Sequence, residues 1–225
     1  MKPLTEEHLA VFRRHMVDVI DIEFDLLSEE IGRERLGDAV REAFLKVPRH
    51  QFVPQQVAPF AYQNQPLPIG FDKTISQPFI AALMTELLDI QPSDRALEIG
   101  TGLGFQTTIL AELARQVWSV EIVEEFAAIA APHLQQLGYD NAEIRVGDGS
   151  RGWPEQAPFD VIMLTCAAKE LPPALVAQLA PGGRMILPLA DDGAQQLTRV
   201  EKRADGELVS RRIMPVRFTE LETVF

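Results

Sequence analysis

The chain has 225 residues, of which 46% are hydrophobic and 24% are charged, a composition typical of a globular protein with one sizeable core. Thirty-three acidic side chains stand against 21 Lys and Arg, and the formal net charge at pH 7 is −12. Nonspecific binding to nucleic acid depends on clustered Lys and Arg, so this charge balance argues against a nucleic-acid partner.

Metal sites and membrane segments are not indicated by the sequence. Cys166 is the single cysteine, which excludes an internal disulfide and a thiolate zinc cluster, and the four histidines are scattered. No apolar run approaches the roughly 20 residues that span a bilayer, and the charged start of the chain does not read as a signal peptide. We therefore expect no bound metal, no membrane partner and a cytoplasmic location. No pattern indicates an oligomeric state.

The N-terminal part of the chain is predicted to be helical. Apolar residues recur at helical spacing over residues 9–20, after Thr5 as a candidate N-cap, and a second helix is predicted over residues 38–46. Residues 47–70 are rich in Pro and Gln and are predicted to be irregular but pinned to a core by aromatic side chains. A helix with one apolar face is then predicted over residues 79–88.

From Arg95 onward, short apolar runs alternate with helical stretches, a pattern that indicates βαβ units and a parallel sheet. The predicted strands begin at Ala96, Val117, Glu143, Asp160 and Arg184, and the predicted helices begin near Phe105, Glu124 and Pro173. In residues 195–202 and 208–218, polar and apolar side chains alternate, and the "RADGE" turn lies between the two runs. This pattern predicts an antiparallel hairpin. The predicted fold is α/β, with a doubly wound, mostly parallel sheet, an antiparallel C-terminal hairpin and an N-terminal helical elaboration. We expect residues 1–94 to form the N-terminal part and residues 95–225 the core, within one compact whole.

A glycine cluster, "EIGTGLG" at residues 98–104, follows a predicted strand and precedes a predicted helix. Glycines there allow the backbone to approach a ligand, toward which helix N–H groups point. The alternative is an ordinary tight turn between strand and helix. A pyrophosphate would meet the extra carboxylate of Glu98, whereas an ammonium or sulfonium ligand would be favoured by it. The cluster therefore indicates S-adenosylmethionine rather than a dinucleotide.

Two further acidic residues lie at the predicted carboxyl edge of the sheet. Glu121 ends the second strand, where its side chain can accept hydrogen bonds from both hydroxyls of a ribose, although an ordinary strand end is the alternative. Asp148, in "VGDGS", follows the third strand, and a turn Asp-Gly is the alternative there. Three features at one edge of one sheet favour a ligand site.

The segments "VPRHQFVP", "AYQNQPLPIGFDKTISQPFIAALMTELL", "LEIGTGLGFQT", "GDGSRGWPEQAPFD" and "LAPGGRMILPL" together resemble protein-L-isoaspartate O-methyltransferases, a family of class I S-adenosylmethionine-dependent methyltransferases with a Rossmann-like sheet. The resemblance covers most of residues 47–189. It implies a carboxyl methyltransferase that repairs damaged proteins by methylating L-isoaspartyl residues, with S-adenosyl-L-methionine as cofactor, S-adenosyl-L-homocysteine as product, and a protein or peptide with a free carboxylate as substrate.

The resemblance also implies residue roles. The T-I-S motif, here Thr74, Ile75 and Ser76, would cross the mouth of the cofactor pocket, with the Ser76 hydroxyl beside the transferred methyl and the acceptor carboxylate. A carboxylate with a pKa of about 4 is already ionised at pH 7, so it needs a positioned neutral donor rather than a general base. A helix N-cap is the alternative for Ser76. Besides Thr74, Ile75 and Ser76, the implied cofactor contacts are Glu98 at the methionine portion, the backbone of Gly100, Gly102, Leu103 and Gly104, Glu121 at the ribose, and Asp148 and Gly149 near the adenine.

The sequence departs from the family pattern at several positions. Lys73 stands where a neutral residue is expected, Leu103 replaces a frequent serine, and Phe218 is followed by "TELETVF" where V-P-L is common. Cys166, where alanine is usual, is interpreted as a small buried hydrophobe rather than a nucleophile. These departures leave two alternatives: a methyltransferase for another peptide or small-molecule carboxylate, and a noncatalytic cofactor-binding protein.

Overall fold

A computed structural model describes residues 5–223. They form two units, and the boundary between the units in the sequence lies between Glu86 and Leu87. Val224 and Phe225, the end of the atypical C-terminal segment, lie outside the described residues. The sequence pattern places a division after residue 94, and that boundary stays a prediction.

The first unit is built from helices. Its helices are α1 (Glu6–Leu26), α2 (Ser28–Ile31), α3 (Asp38–Lys46) and α4 (Pro78–Leu87), of which only the last residue belongs to the second unit. Thr5 is the N-cap of α1, as predicted, and the short helix α2 was not predicted. The core contains Phe24 of α1, Phe44 of α3, and Phe79 of α4, all buried. The rings of Phe24 and Phe79 meet edge to face, with centroids 5.7 Å apart.

The segment before α4 contains a two-stranded ribbon, so the prediction of irregular structure throughout residues 47–70 was wrong at its end. Strand β1 (Leu67–Gly70) pairs antiparallel with β2 (Lys73–Ile75). Leu67 and Ile69 are buried while the residues that alternate with them are exposed, the pattern of a half-buried strand. A strand of four residues that contains Pro68 and ends in glycine carries too weak a sequence pattern to be recognised.

The second unit contains a seven-stranded sheet with the order β5-β4-β3-β6-β7-β8-β9. Its strands are β3 (Arg95–Ile99), β4 (Gln116–Glu121), β5 (Ala142–Val146), β6 (Phe159–Leu164), β7 (Leu179–Asp191), β8 (Ala194–Lys202) and β9 (Leu208–Pro215), and its helices are α5 (Phe105–Leu113), α6 (Glu124–Gln136) and α7 (Pro173–Gln178). Strands β3 to β7 are parallel, and β8 and β9 are antiparallel to their neighbours. The predicted α/β fold with an antiparallel end is confirmed.

The strand boundaries differ from the prediction mainly at β7. This strand begins at Leu179, five residues before the predicted start at Arg184, because Leu179 pairs with Phe159 across a shift of register. The glycines of "LAPGG" interrupt the apolar pattern and hide this first part of the strand.

Strand order reverses at β3, which pairs with β4 on one side and β6 on the other. In open α/β sheets the crevice outside the carboxyl ends of the strands at such a point is the usual ligand site. The glycine cluster follows β3 directly. Among the helices formed by residues 5–223, none is both long enough and apolar enough to span a bilayer.

Candidate functional site

The loop after β3 is held by backbone hydrogen bonds and by backbone conformations that favour glycine. The amide of Gly100 donates to the carbonyl of Val120 at 2.9 Å, which ties the loop to the end of β4. Gly100, Gly102 and Gly104 have φ values of +94°, +55° and +95°, and Gly104 is the N-cap of α5. A Cβ at Gly100 would also collide with the Thr165 hydroxyl. Without a Cβ at these positions, a ligand can approach the backbone of the loop closely.

Glu121, at the end of β4, connects this loop with the next one. Its Oε2 atom accepts a hydrogen bond from the amide of Gly102 at 2.7 Å, and its Oε1 atom accepts one from the amide of Val123 at 2.9 Å. The residue is only 5% exposed. A carboxylate oxygen can accept more than one hydrogen bond, a property suited to the paired hydroxyls of a ribose.

Glu98 is fully buried in β3. Its Oε2 atom accepts hydrogen bonds from the hydroxyls of Thr107 and Ser119, and the Thr101 hydroxyl hydrogen-bonds to Ser119. Its Oε1 atom is buried without a hydrogen-bond partner among the described residues. Burial raises the pKa of Glu98 to about 8, against the lowering effect of the two hydroxyls, and the charge of Glu121 raises it further. Burial thus favours the protonated carboxyl, and a cation placed beside it would favour its ionised form.

The loop after β5 contains Asp148 and Gly149. Asp148 caps the short turn that follows, because its Oδ1 atom accepts hydrogen bonds from the amide and hydroxyl of Ser150 at 2.9 and 2.7 Å. This is the turn role that was the alternative for Asp148 in the sequence. Gly149 lies against β3, since a Cβ there would collide with the Ile99 side chain. Whether Asp148 also contacts an adenine stays a prediction.

The loop after β6 also reaches the end of β3, and the C-terminal segment pairs with it. The Thr165 hydroxyl donates to the carbonyl of Gly100 at 2.6 Å, and Cys166 is half-buried beside it. Ala167 donates to the carbonyl of Thr219 and accepts from the amide of Leu221, both at 2.8 Å. The atypical "TEL" segment therefore adds a short parallel bridge at the carboxyl edge of the sheet.

In the first unit, the T-I-S motif forms the end of β2 and the connection to α4. Thr74 is exposed, Ile75 is buried and Ser76 is half-buried. The amide of Phe79, in the first turn of α4, donates to Oδ1 of Asn64 at 3.0 Å. A side chain distant in sequence thus satisfies this amide, and the alternative of Ser76 as an N-cap of the helix stays a prediction.

Most of the predicted cofactor residues lie close together within the second unit. Glu98, Glu121 and Gly149 lie at the carboxyl end of β3, next to the glycine loop that contains the half-buried Leu103. Thr107 and Ser119, which hold Glu98, were not predicted, because hydroxyl residues on a helix and a strand carry no sequence signal of a shared contact. Nowhere in residues 5–223 do three or more His, Cys, Asp or Glu side chains form a group that could hold a metal ion.

Comparison with known proteins points to one family. Residues 24–223 match the family model described as protein-L-isoaspartate(D-aspartate) O-methyltransferase. Over 219 residues the chain is 49% identical to protein-L-isoaspartate O-methyltransferase 1 of Polaromonas sp., covering 97% of this chain and 93% of that protein. It is 50% identical over 208 residues to protein-L-isoaspartate O-methyltransferase 1 of Nitrosospira multiformis, covering 88% of each chain.

Solved structures agree with the sequence comparison. A protein-L-isoaspartate O-methyltransferase is similar with a TM-score of 0.78 and 28% identity, over 92% of this chain and 65% of that longer chain. A Plasmodium falciparum protein, described as a putative member of the same class in complex with S-adenosyl-L-homocysteine, is similar with a TM-score of 0.76 and 23% identity, over 92% of this chain and 99% of that chain. The second likeness establishes the fold alone.

Proposed function

This chain belongs to the protein-L-isoaspartate(D-aspartate) O-methyltransferase family, and we propose that it transfers a methyl group from S-adenosyl-L-methionine to the side-chain carboxylate of L-isoaspartyl residues in damaged proteins. The products are the methyl ester and S-adenosyl-L-homocysteine. Methylation of this carboxylate prepares the residue for repair, because the ester then collapses to a succinimide.

The observation that carries the cofactor assignment is the glycine loop tied to Glu121. Three glycines with positive φ allow a ligand to approach the backbone of this loop without a Cβ in its way, and the Glu121 carboxylate, an acceptor suited to ribose hydroxyls, lies beside them. The buried Oε1 atom of Glu98, which has no partner among the described residues, is suited to a cationic neighbour. These features fit S-adenosylmethionine better than a dinucleotide, because acidic side chains attract a cationic sulfonium and offer nothing favourable to a pyrophosphate.

The residues are proposed to act by binding and orientation. Backbone groups of Gly100, Gly102, Leu103 and Gly104 hold the methionine portion, with Glu98 behind them. Glu121 binds the ribose, and Asp148 and Gly149 flank the adenine. When bound, the cofactor supplies an electrophilic methyl group on a sulfonium centre.

Ser76 is proposed to orient the acceptor, together with Thr74 and Ile75 of the same motif. An ionised carboxylate is already a nucleophile at pH 7, so no group has to remove a proton. A hydroxyl donor can hold one carboxylate oxygen in place without neutralising the negative charge of the carboxylate. A contact with Lys or Arg would offset that charge and lower the nucleophilicity of the carboxylate. Orientation of this kind is where Ser76 contributes to the rate.

We propose a protein or peptide substrate, and neither a nucleic acid nor a membrane as partner. The net charge of −12 supports the exclusion of nucleic acid. A single cysteine is compatible with a reducing compartment, which supports a cytoplasmic location.

The test is methyl transfer from labelled S-adenosylmethionine to an isoaspartyl peptide, with the normal aspartyl peptide as control. We expect transfer to the isoaspartyl form alone. Equal transfer to both peptides would contradict the proposed substrate, and absence of transfer by protein that binds the cofactor in calorimetry would contradict the proposed activity.

The role of Ser76 is tested with Ser76→Ala, and with Ser210→Ala on the exposed face of β9 as matched control. A hydrogen bond to a charged group contributes about 1.5–3 kcal/mol, so kcat/KM for the peptide should fall about 10- to 100-fold with cofactor binding retained. Wild-type kcat/KM in Ser76→Ala would remove Ser76 from the mechanism.

A further inference from the structure

We propose that Arg49 and Asn64 are positioning residues that fix the connection carrying Ser76 from both of its ends. This inference rests on the proposed function, in which Ser76 orients the acceptor carboxylate. Neither residue carries a role in the sequence analysis, and all the contacts involved lie within the first unit.

Arg49 is the largest fully buried side chain among the described residues, with 0% exposure. Its Nε atom donates to the carbonyl of Ala61 at 2.8 Å, and its Nη2 atom donates to the carbonyl of Ser76 at 2.7 Å. The two carbonyls belong to segments 12 and 27 residues away in sequence. A guanidinium presents donors in a rigid planar fork, so these two bonds fix the distance and the angle between the segments.

Arg49 remains a charged donor at physiological pH. Burial lowers its pKa to about 9, a change that Tyr62 opposes, and this value still lies above neutral pH. Taking such a group out of water is costly unless it is well hydrogen-bonded. A buried arginine whose donors reach backbone carbonyls is therefore a fixed part of the structure rather than a mobile surface side chain.

Asn64 holds the other end of the connection. Its Oδ1 atom accepts from the amide of Phe79 at 3.0 Å, and its Nδ2 atom donates to Oε1 of Glu23 in α1 at 2.5 Å. Its amide group is thus fixed on both sides, so it orients the start of α4.

The connection between these anchors is short. Only Ser76 and Gln77 separate the last residue of β2 from Pro78, whose ring fixes φ at the start of α4. Ile75 before them is buried. With the carbonyl of Ser76 held by Arg49, rotation of the Ser76 peptide group is restricted, which fixes the direction of its Cα–Cβ bond and limits the χ1 rotamers open to its hydroxyl. A hydroxyl that orients a reacting carboxylate needs this precision, since small misplacements reduce rates strongly.

The first experiment compares Arg49→Lys with Arg184→Lys. Arg184 is also mostly buried and donates to Asp94 within the second unit, so its replacement tests the general cost of changing a buried arginine. Lysine keeps the charge of Arg49 but cannot form the two-point fork. We expect Arg49→Lys to lower kcat/KM for the isoaspartyl peptide at least 10-fold, mainly through kcat, with the cofactor Kd changed less than 3-fold. Arg184→Lys should lower Tm without this loss.

A second pair of variants covers the case in which Arg49→Lys does not fold. Asn64→Ala removes the anchor at Phe79, and Asn141→Ala removes an amide that donates to carbonyls of Ala111 and Ala114 in the second unit. Asn64→Ala should lower kcat/KM about 3- to 10-fold, and Asn141→Ala should lower only Tm. Wild-type kcat/KM in folded Arg49→Lys or Asn64→Ala, or an equal loss in the matched controls, would overturn the inference.

Amide hydrogen exchange separates this inference from the proposed function. Exchange in the peptide that covers residues 74–79 should be at least 10-fold faster in Arg49→Lys than in wild type, and unchanged in Arg184→Lys. If wild type transfers no methyl group, the proposed function fails while this exchange result still tests the anchoring. Unchanged exchange in Arg49→Lys would overturn the anchoring itself.

Discussion

The loop after β3 and the connection after β2 are both short, yet they differ in what holds them. The glycine loop depends first on its own backbone, through positive φ values and the bond of the Gly100 amide to the neighbouring strand, and the Glu121 and Thr165 side chains add bonds to its backbone groups. The Ser76 connection is fixed by Arg49 and Asn64, side chains that lie 27 and 12 residues earlier in the chain. The loop should therefore respond most to an added Cβ, and the connection most to the loss of a distant side chain.

The two regions also differ in the charge that they bury. Glu98 lies behind the glycine loop and is held by hydroxyls, and burial raises its pKa. Arg49 lies behind the Ser76 connection and is held by carbonyls, and burial lowers its pKa. In both places desolvation disfavours the charged form of the side chain. Of the two pKa values, that of Glu98 is moved closer to neutral pH.

The largest effect is expected for Gly100→Ala. At this position alanine would have to adopt a left-handed backbone conformation, which costs roughly 1–2 kcal/mol. Its Cβ would also displace the Thr165 hydroxyl. We expect cofactor affinity to fall on the order of 100-fold, equivalent to about 2.7 kcal/mol, as measured by calorimetry.

Gly138→Ala is the matched control for this prediction. Gly138 has a φ of +86° but no heavy atom within 4 Å of an added Cβ, so it carries the conformational cost without the collision. The free energy of unfolding should fall in both variants, and cofactor affinity only in Gly100→Ala. Equal cofactor binding by the two variants would show that the loop is not held by its backbone in the way described.

The two regions also differ in how far the sequence could predict them. Strands β3 to β6 and the glycine loop follow from local patterns, in which apolar runs alternate with helices and glycine supplies positive φ. The predicted strand starts at Ala96, Val117, Glu143 and Asp160 each lie within one residue of those observed. The ribbon of β1 and β2 was missed because its pairing joins two very short strands around Phe71 and Asp72.

Side-chain contacts over long sequence distances account for the rest. Arg49 stands in the quoted "VPRHQFVP" segment and Asn64 in "AYQNQPLP", but nothing in either pattern states which carbonyl or amide the side chain will reach. The Asp148 side chain could not be assigned for a similar reason, because an Asp before Gly fits a turn as well as a ligand contact. Family resemblance supplied the residue positions, and the structure supplied their supporting partners.

A smaller effect is expected from Glu98→Gln, and it appears as a pH dependence of stability. The folded-state pKa of about 8 lies above the ordinary value of 4.5, so the folded protein retains a proton that the unfolded chain releases. Its contribution to stability is fully present below pH 4.5 and is lost as the pH rises toward 8, with a slope of at most about 1.4 kcal/mol per pH unit. Glutamine stays neutral, so the variant should lack this slope.

Denaturant unfolding between pH 5 and pH 9 measures the slope. Glu143→Gln, at an exposed position on β5, is the control and should follow wild type. The free energy of unfolding of Glu98→Gln relative to wild type should rise across this range. A constant difference would mean that Glu98 does not titrate there, and that the two regions do not differ in how their buried charges respond to pH.

The smallest effect is expected at Lys73, the cationic side chain three residues before Ser76. Lys73 is half-buried in β2, and a peptide with acidic residues next to the isoaspartate would be attracted to it. Partly exposed charges contribute about 0.2–1 kcal/mol, so Lys73→Gln should raise KM for such a peptide by roughly 1.4- to 5-fold, and less at high salt. Lys46→Gln, at the exposed end of α3, should leave KM unchanged. The proposed role of Lys73 is long-range attraction of an acidic peptide, so kcat should stay unchanged; a fall in kcat would place Lys73 among the groups that hold the Ser76 connection.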